Sequence, residues 1–259
     1  MMEKRPKLFL TVSQAHFHEA AQSGFLCACL FYRIAKGPVL TRSSILNAHR
    51  GGIMAVGDKD YAKGGAEYGP LARDILSEMT RRGFAGVLLD IEDESLFDLV
   101  SSVAAYLVSR QVPVFLSPRF SNASGGSYVL IPSAISGGSY EQMLKDAAEK
   151  YGASRLALEI VRISSDFSLP FSNTDGKRLS VSELAALKEQ KGASVFFSRE
   201  LCAKYFTYGD KEGTPHFVLF DDASTIAAKL QIAGSIGVKH AFALYPDIKD
   251  LLPSLSDYK

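Results

Sequence analysis

Tryptophan is absent from this 259-residue sequence, and cysteine is nearly so. Cys27, Cys29 and Cys202 are too few for a disulfide framework, and their spacing does not match a zinc site. Lys and Arg number 29 against 28 Asp and Glu, so no excess charge of either sign would attract nucleic acid or an anionic membrane. We therefore expect buried thiols in a reducing compartment, and neither nucleic acid nor a membrane as a partner.

Long apolar runs are missing as well, and no stretch is long enough to span a bilayer. The first apolar run, LFLTV at residues 8–12, follows charged Glu3, Lys4 and Arg5 and has no small-residue cleavage pattern behind it. We interpret it as a first strand rather than an export signal. The expectation is a cytoplasmic, monomeric protein.

What the sequence does contain is a regular alternation of short apolar runs with helical patterns. Most of the runs are nearly all apolar, as expected when both faces of a parallel strand are covered. The candidate strands are KLFLTV, GFLCACLFY, GGIMAV, GVLLDI, VPVFLS, SYVLIP, SRLALEI and KHAFALY. Helices with N-terminal and C-terminal signals lie between several of them, for example from Pro70 to Gly83 and from Ser139 to Gly152. The pattern predicts one domain, residues 1–259, folded as an α/β protein of the (β/α)₈ TIM-barrel type.

The alternation is interrupted between residues 162 and 222. A helix with Ser180 and Glu183 in capping-box spacing is followed there by the runs ASVFF, KYFTY and HFVLF. The last two runs are separated by GDKEGTP, a cluster of turn-forming residues that predicts a hairpin. We interpret residues 162–222 as a small α+β insertion subdomain before the last helix and strand.

The segment GFAGVLLDIEDES, residues 83–95, carries acidic side chains directly after an apolar strand. Side chains alternate along a strand, so Asp90 and Glu92 share one side. Active sites of TIM barrels lie at the C-terminal ends of the strands, and two neighbouring carboxylates raise one pKa, which suits general-acid catalysis. We therefore expect Asp90 and Glu92 to be catalytic. We expect Asp93 and Glu94 to begin the next helix, where acids favour the helix dipole.

Two segments of the sequence resemble a known family. Family 18 glycoside hydrolases carry DGxDxDxE on their fourth barrel strand, and AGVLLDIE at residues 85–92 matches its Gly, its last Asp and its Glu. Residues 205–244 are similar to a second segment of the family, in its spore and cell-wall lytic branch. That segment comprises the end of the insertion domain, the following helix and the eighth strand. Its pattern is His-x-Val-Trp-Phe-Glu-Asp-Ala-x-Ser, followed by a Lys. The residues in register are His216, Val218, Phe220, Asp222, Ala223, Ser224 and Lys229.

The resemblance implies a substrate-assisted retaining glycosidase for N-acetylglucosamine-containing glycans, chitin oligomers or peptidoglycan, with no metal or organic cofactor. Glu92 would be the acid/base that protonates the glycosidic oxygen. Asp90 would orient the substrate's acetamido group, whose oxygen attacks the sugar carbon. Arg119 and Tyr245, just past the fifth and eighth strands, are candidates for substrate binding, and a salt bridge with one of the nearby acids is the alternative role of Arg119. Relatives in spore formers are packed into the spore from the mother cell, so a spore-associated location stays open.

Departures from the family pattern motivate a second hypothesis. Ala85 and Leu88 replace the first two Asp residues of the motif. Ser133 and Ala134 lie where the family has a strand-six Tyr that steadies the acetamido group, and Leu244 lies where members often place a Trp. An aromatic face is the usual platform for the C–H side of a sugar ring. A catalytically degenerate barrel that binds a glycan or a protein partner therefore stays open.

A third hypothesis comes from AHFHE, where His16 and His18 follow the first strand. Metal-dependent amidohydrolases also begin with a His-x-His after strand one. Such a site needs further His ligands and an Asp on later strands. The remaining histidines, at 49, 216 and 240, do not supply them in an obvious way. We expect no metal in the site.

Overall fold

The computed structural model describes residues 5–43, 50–59, 61, 67–169 and 176–259. Its largest element is a parallel sheet that closes on itself, because the first strand pairs with the second strand on one side and with the last strand on the other. The barrel strands, in spatial order, are β1 (Lys7–Val12), β2 (Leu26–Ala35), β4 (Ile53–Gly57), β5 (Gly86–Asp90), β6 (Val114–Leu116), β7 (Tyr128–Pro132), β8 (Leu156–Ile160) and β14 (His240–Leu244). The predicted TIM barrel is confirmed.

The barrel interior is filled by alternate residues of these strands, which mix large and small side chains. They are Phe9, Ala28, Ile53, Ala55, Leu88, Phe115, Leu130, Ala157 and Phe242. The ring of Phe242 lies 5.3 Å from that of Phe9 and 4.8 Å from that of Phe115, between centroids. The aromatic rings compensate in volume for the alanines, so that the interior is a packed core.

Gly86, the glycine of the family motif, is required by the approach of β5 to its neighbour. A Cβ at this position would lie 2.8 Å from the backbone oxygen of Pro113, just before β6. That distance is too short for any side chain, so only glycine fits. The steric requirement fixes where β5 begins and thereby where it ends, at Asp90.

Helices form an outer layer around the barrel. They are α1 (Phe17–Gln22), α2 (Gly69–Arg82), α3 (Phe97–Ser109), α4 (Tyr140–Tyr151), α5 (Val181–Lys191), α6 (Ala223–Ile236) and α7 (Tyr245–Ile248). The predicted ends are confirmed for α2, which stops at Gly83 with φ 74°, and for α4, where the Ser139 hydroxyl accepts the Gln142 N–H at 3.3 Å. None of the helices in the described ranges is long and apolar enough to cross a bilayer.

Two barrel connections depart from the strand–helix alternation. β2 is followed by an antiparallel strand, β3 (Val39–Arg42), which continues the sheet as a hairpin. Between β6 and β7 the chain makes only a short 3₁₀ helix, Pro118–Phe120, before it returns. Among the described residues, neither connection therefore contains a full crossover α-helix.

A second, antiparallel sheet lies within the stretch that we interpret as an insertion. Its strands are β9 (Ser164–Ser168), β10 (Lys177–Arg178), β11 (Phe196–Ser198), β12 (Ala203–Gly209) and β13 (Pro215–Phe220), in the spatial order β10-β9-β13-β12-β11. The predicted hairpin between β12 and β13 is confirmed, and Asp210 Oδ1 closes its turn by accepting the Thr214 N–H at 2.7 Å. The predicted capping box of α5, from Ser180 and Glu183, is also present.

A buried ion pair connects this second sheet to the barrel helix that follows it. The Lys229 ammonium lies 2.8 Å from both carboxylate oxygens of Asp221, and both side chains are almost fully removed from water. Asp221 also accepts the Thr225 hydroxyl at 2.8 Å and the Ile163 N–H at 2.9 Å. The carboxylate thus joins the end of β13, the start of α6 and the segment after β8, with its oxygens satisfied by hydrogen bonds.

Replacing Asp221 by Ala should therefore destabilise the fold strongly, because it leaves the buried Lys229 ammonium without a counter-charge. We expect a loss of about 3–5 kcal/mol in the free energy of unfolding, measured by urea denaturation. The matched control is Asp257→Ala, which removes the exposed partner of Arg5 and should cost less than about 1 kcal/mol. Equal losses for the two variants would contradict the assignment.

Candidate functional site

Asp90 is the last residue of β5 and points into the barrel mouth. Leu88, two residues earlier, belongs to the barrel interior, whereas Val87 and Leu89 pack on the outside against the helices. The alternation of the strand therefore directs Asp90 to the inner side. Glu92 follows outside the strand, after the buried Ile91, and its side chain is exposed. The two predicted catalytic residues line the same cavity, and the charge of Glu92 contributes to raising the pKa of Asp90.

Asp58 positions the loop that carries Glu92, and the sequence reasoning missed it. It directly follows β4, whose last residue, Gly57, is in register with Asp90. Its Oδ2 accepts the backbone N–H groups of both Glu92 and Asp93 at 3.0 Å. An acid directly after the apolar run GGIMAVG is the same strand-end signal that identified Asp90, so the pattern was available in the sequence.

Glu159 is the second residue that the sequence reasoning missed. It lies on β8, two positions after Ala157, which belongs to the barrel interior. Glu159 therefore shares the inner side and lines a cavity together with Asp90. The signal was a single acid at an alternate position of the otherwise apolar strand LALEI.

Two cavities meet at Asp90 in the mouth of the barrel. The outer one has a volume of about 150 Å³ and is lined by Ser13, Leu30, Tyr32, Arg33, Gly57, Asp58, Lys59, Asp90 and Glu92. The inner one has a volume of about 190 Å³ and is lined by Thr11, Leu30, Leu88, Asp90, Leu130, Glu159, Phe242, Ala243 and Leu244. The outer cavity is rich in charge, whereas the inner one combines an apolar floor with carboxyl groups.

The electrostatic environment of the barrel mouth favours the protonated forms of Asp90 and Glu159. Removal from water raises the pKa of Asp90, the charges of Glu92 and Asp58 raise it further, and Lys59 opposes the shift. Removal from water also raises the pKa of Glu159, with an additional contribution from the charge of Asp90. Among the described residues, neither carboxyl group has a hydrogen-bond or ion-pair partner.

Asp93 and Glu94 begin the next helical segment, as predicted. The Asp93 Oδ1 accepts the Ser95 N–H at 2.9 Å and caps a short 3₁₀ helix, Glu94–Leu96, that leads into α3. Both acids are exposed. They are therefore part of the start of a helix, separate from the pair Asp90 and Glu92.

Arg119 lies beside the site but lines neither cavity. Its guanidinium donates a hydrogen bond to the Glu92 carbonyl oxygen at 3.4 Å and lies 3.6 Å from the Glu94 carboxylate. In this position the side chain supports the backbone of the Glu92 loop. Substrate binding by Arg119 stays a prediction.

Tyr245 requires a correction, because the structure places it on the outer side of the barrel. Its side chain is buried, its ring lies 6.0 Å from that of His16, and a hydrogen bond to Glu19 contributes to raising the pKa of Tyr245 to about 12, after burial as the main cause. It is Leu244 that lines the inner cavity, with 43% of its surface exposed. Because β14 ends at Leu244 and α7 begins at Tyr245, the ring packs in the outer layer and does not line either cavity.

Two further positions singled out in the sequence supply no chemistry to the mouth. The Ser133 hydroxyl is buried and accepts the Val161 N–H at 3.0 Å, so it connects the ends of β7 and β8. His18 is exposed on α1 beside Gln22, while His16 contacts Tyr245. The described part of the chain contains no group of three or more His, Cys, Asp or Glu side chains that could hold a metal ion. The amidohydrolase hypothesis therefore has no ligand set in this part of the chain, and His49 lies outside the described residues.

Comparison with solved structures identifies the fold. The spore cortex-lytic enzyme SleL of Bacillus cereus matches 97% of this chain and 74% of its own, at 14% identity and a TM-score of 0.66. A chitinase from Chromobacterium violaceum matches 98% of both chains, at 15% identity and a TM-score of 0.65. A family 18 chitinase from Cycas revoluta, in complex with allosamidin, matches 97% of this chain and 99% of its own, at 16% identity and a TM-score of 0.61.

The chain has the fold of the family 18 glycoside hydrolases. The resemblance seen in the sequence is thereby confirmed at the level of the fold, and two of these three neighbours are chitinases by name. No protein-family model matches the sequence, and no curated protein sequence matches it. The chain thus shares its architecture with these neighbours although the sequences differ at most positions.

The role of Asp58 in this family 18-type barrel can be tested by hydrogen exchange. Replacing Asp58 by Ala should accelerate exchange of the Glu92 and Asp93 amides about tenfold or more, because both lose their acceptor, and a hydrogen bond to a charged group contributes about 1.5–3 kcal/mol. The conservative variant Asp58→Asn keeps an oxygen acceptor and should show a smaller effect. Unchanged exchange in Asp58→Ala would show that the loop is held by other contacts.

The raised pKa of Asp90 makes a prediction about stability and pH. The folded chain binds this proton more tightly than the unfolded chain, so the contribution to stability is complete below the ordinary carboxyl pKa and is lost as the pH rises through the raised folded-state value. Asp90→Asn should therefore raise the midpoint of thermal unfolding at about pH 7 and leave it nearly unchanged at about pH 3. Asp74→Asn, at an exposed position on α2, is the matched control. A pH-independent effect of Asp90→Asn would contradict the prediction.

Proposed function

We propose that this chain is a glycoside hydrolase that cleaves linkages next to N-acetylglucosamine in chitin oligomers or peptidoglycan. The observation that carries the proposal is the position of Asp90 and Glu92, which line one cavity at the C-terminal end of the fourth strand of a family 18-type barrel. Active sites of TIM barrels occupy this end of the strands. The neighbours include a chitinase in complex with (GlcNAc)₃ and spore cortex-lytic enzymes, which are consistent with this substrate class.

In the proposed mechanism Glu92 donates its proton to the glycosidic oxygen as the bond to the sugar carbon breaks. The oxygen of the substrate's own acetamido group forms the new bond to that carbon, and Asp90 accepts the acetamido N–H and stabilises the positive charge of the resulting ring. Glu92, now ionised, then takes a proton from water, and the water oxygen displaces the acetamido oxygen. Two displacements at one carbon retain its configuration.

The shape and polarity of the inner cavity suit an uncharged sugar ring. Its floor is apolar and includes Leu88, Leu130 and Phe242, and its carboxyl groups are those of Asp90 and Glu159. Apolar floors pack against the C–H face of a sugar, and a few polar groups fix its orientation. The acetamido group is a neutral hydrogen-bonding group that such carboxyls can recognise. We propose a cytoplasmic or spore-associated location for this activity.

The second candidate function is glycan binding without turnover, and specific observations favour it. Leu88 removes the carboxylate that precedes Asp90 in the family motif, and the Ser133 hydroxyl is engaged by the backbone of Val161. Leu244 offers an aliphatic surface where family members often have an aromatic one. Each difference removes a group that would act on the acetamido group or the sugar ring.

Turnover by the wild-type protein and the variant Glu92→Gln separates the two functions. We expect fluorophore release from N-acetylchitooligosaccharide glycosides, or reducing-end release from peptidoglycan, to fall at least about 100-fold in Glu92→Gln, because the amide cannot donate the acid's proton. Glu141→Gln, on the outer helix α4, is the matched control and should retain wild-type rates.

The two candidates predict opposite results for the wild-type chain. Absence of Glu92-dependent turnover on both substrates, with oligosaccharide binding retained, would establish the binding function. Turnover that survives in Glu92→Gln would show that another residue is the acid. Product analysis by NMR would then show whether the configuration at the sugar carbon is retained.

A further inference from the structure

The inner side of β5 provides no polar partner for Asp90. Leu88 is the preceding inward residue, is only 5% exposed and packs in the barrel interior. Gly86, before it, has no side chain, and nothing larger fits there. In the family pattern the position of Leu88 is an Asp. Asp90 therefore has no carboxylate next to it on its own strand with which to hold a proton.

Glu159 lies in the same cavity as Asp90, on a different strand. Its strand, β8, is separated from β5 by β6 and β7, and its position in register lies beside Pro132 on β7 and Phe242 on β14. Among the described residues that line the inner cavity, no other is charged, because the remaining ones are Thr11, Leu30, Leu88, Leu130, Phe242, Ala243 and Leu244. The two carboxyls thus face one apolar-floored space into which no described lining residue brings a cation.

We propose that Glu159 is a positioning residue for Asp90, supplying from β8 the acidic partner that Leu88 removes from β5. Glu159 keeps its proton while Asp90 is ionised, so the pair presents a single negative charge to the substrate. This inference rests on the proposed function, since it assigns the carboxyl pair to the subsite of the acetamido group. Because Glu159 acts through Asp90, it is not itself a catalytic residue.

The energetics of the cavity support a single proton on the pair. Two ionised carboxyls in a space with apolar walls repel each other, and partial removal from water penalises each charge. Both residues keep an exposed surface at the mouth, yet partial removal from water raises the pKa of both groups, and the charge of Asp90 raises that of Glu159 further. The other charged groups at the mouth lie around the outer cavity and are Arg33, Asp58, Lys59 and Glu92. Of these, Lys59 opposes the rise for Asp90, whereas Asp58 and Glu92 reinforce it.

A carboxyl pair with a single negative charge suits a neutral acetamido group better than a pair with two negative charges does. Asp90, ionised when substrate is bound, accepts the acetamido N–H, and the proton stays on Glu159. If the pair has lost its last proton, binding of a neutral sugar removes two negative charges from water, which costs free energy. Substrate binding should therefore weaken as the pH rises through the titration of the pair, while the chemical step catalysed by Glu92 is less affected.

The first measurement follows the Glu159 carboxyl directly and needs no enzymatic activity. In the full chain labelled with ¹³C at carboxyl carbons, with Glu159→Gln used for assignment, the titration midpoint of Glu159 should fall by about one pH unit in Asp90→Asn, because the charge that holds its proton is gone. It should stay unchanged in Glu141→Gln. A Glu159 midpoint that does not move in Asp90→Asn would overturn the inference. Thermal unfolding of each variant checks that the fold is retained.

The second measurement is the affinity for N-acetylglucosamine tetramer in the Glu92→Gln background, where hydrolysis is blocked. With Glu159 present, the dissociation constant should rise about tenfold as the pH rises through the Glu159 midpoint found in the first measurement, whereas with Glu159→Gln it should be nearly independent of pH over that range, because the amide stays neutral. Glu159→Asp should restore the pH dependence. Tighter binding of the de-acetylated glucosamine tetramer at neutral pH would show a doubly ionised pair and overturn the inference.

Failure of the inference and failure of the proposed function give different results. A chain that never hydrolyses glycans, but in which Asp90→Asn lowers the Glu159 midpoint, lacks the proposed activity and retains the carboxyl pair. A chain that hydrolyses glycans through Glu92, with a Glu159 midpoint insensitive to Asp90→Asn, has the activity without the pair.

Discussion

Closure of the barrel between β14 and β1 is the constraint on which the rest of the structure depends. A closed barrel has a fixed interior volume, and each inward side chain must share it with those of the other strands. Phe9, Phe115 and Phe242 fill most of that volume, and alanines occupy positions across from them. Only in the layer nearest the mouth, where water enters, are inward carboxyls compatible with the fold. Closure therefore brings Asp90 and Glu159 into one cavity although they are far apart in the chain.

The sequence predicts the fold well because local signals and the global architecture agree. The apolar runs are recognisable because parallel strands are covered on both faces, and helix ends such as Gly83 and Ser180 follow from backbone geometry. The hairpin around Asp210 follows from its turn residues in the same way. The strand β3 escaped notice because its run, VLTR, is short and half polar.

The candidate site is predictable only in part, because its members come from different strands. Asp90 and Glu92 share one short segment, so alternation along a strand is enough to suggest them. Asp58 and Glu159 meet them only after the barrel closes, and no spacing in the sequence relates the three segments. Tyr245 illustrates the opposite error: a difference of one residue at the end of β14 turns its ring to the outer layer, and Leu244 lines the cavity.

Gly86 links the steric and chemical requirements of the site. Its missing side chain lets the backbone of β5 pass the Pro113 carbonyl. Any larger residue there would displace the strand, and the displacement would be transmitted along a rigid backbone to Asp90, four positions later. A mutational scan of this barrel would thus find one of its least tolerant positions at Gly86, a residue without functional groups. A loss of function there would reflect a shift of the Asp90 carboxyl by a fraction of the distance between successive strand residues.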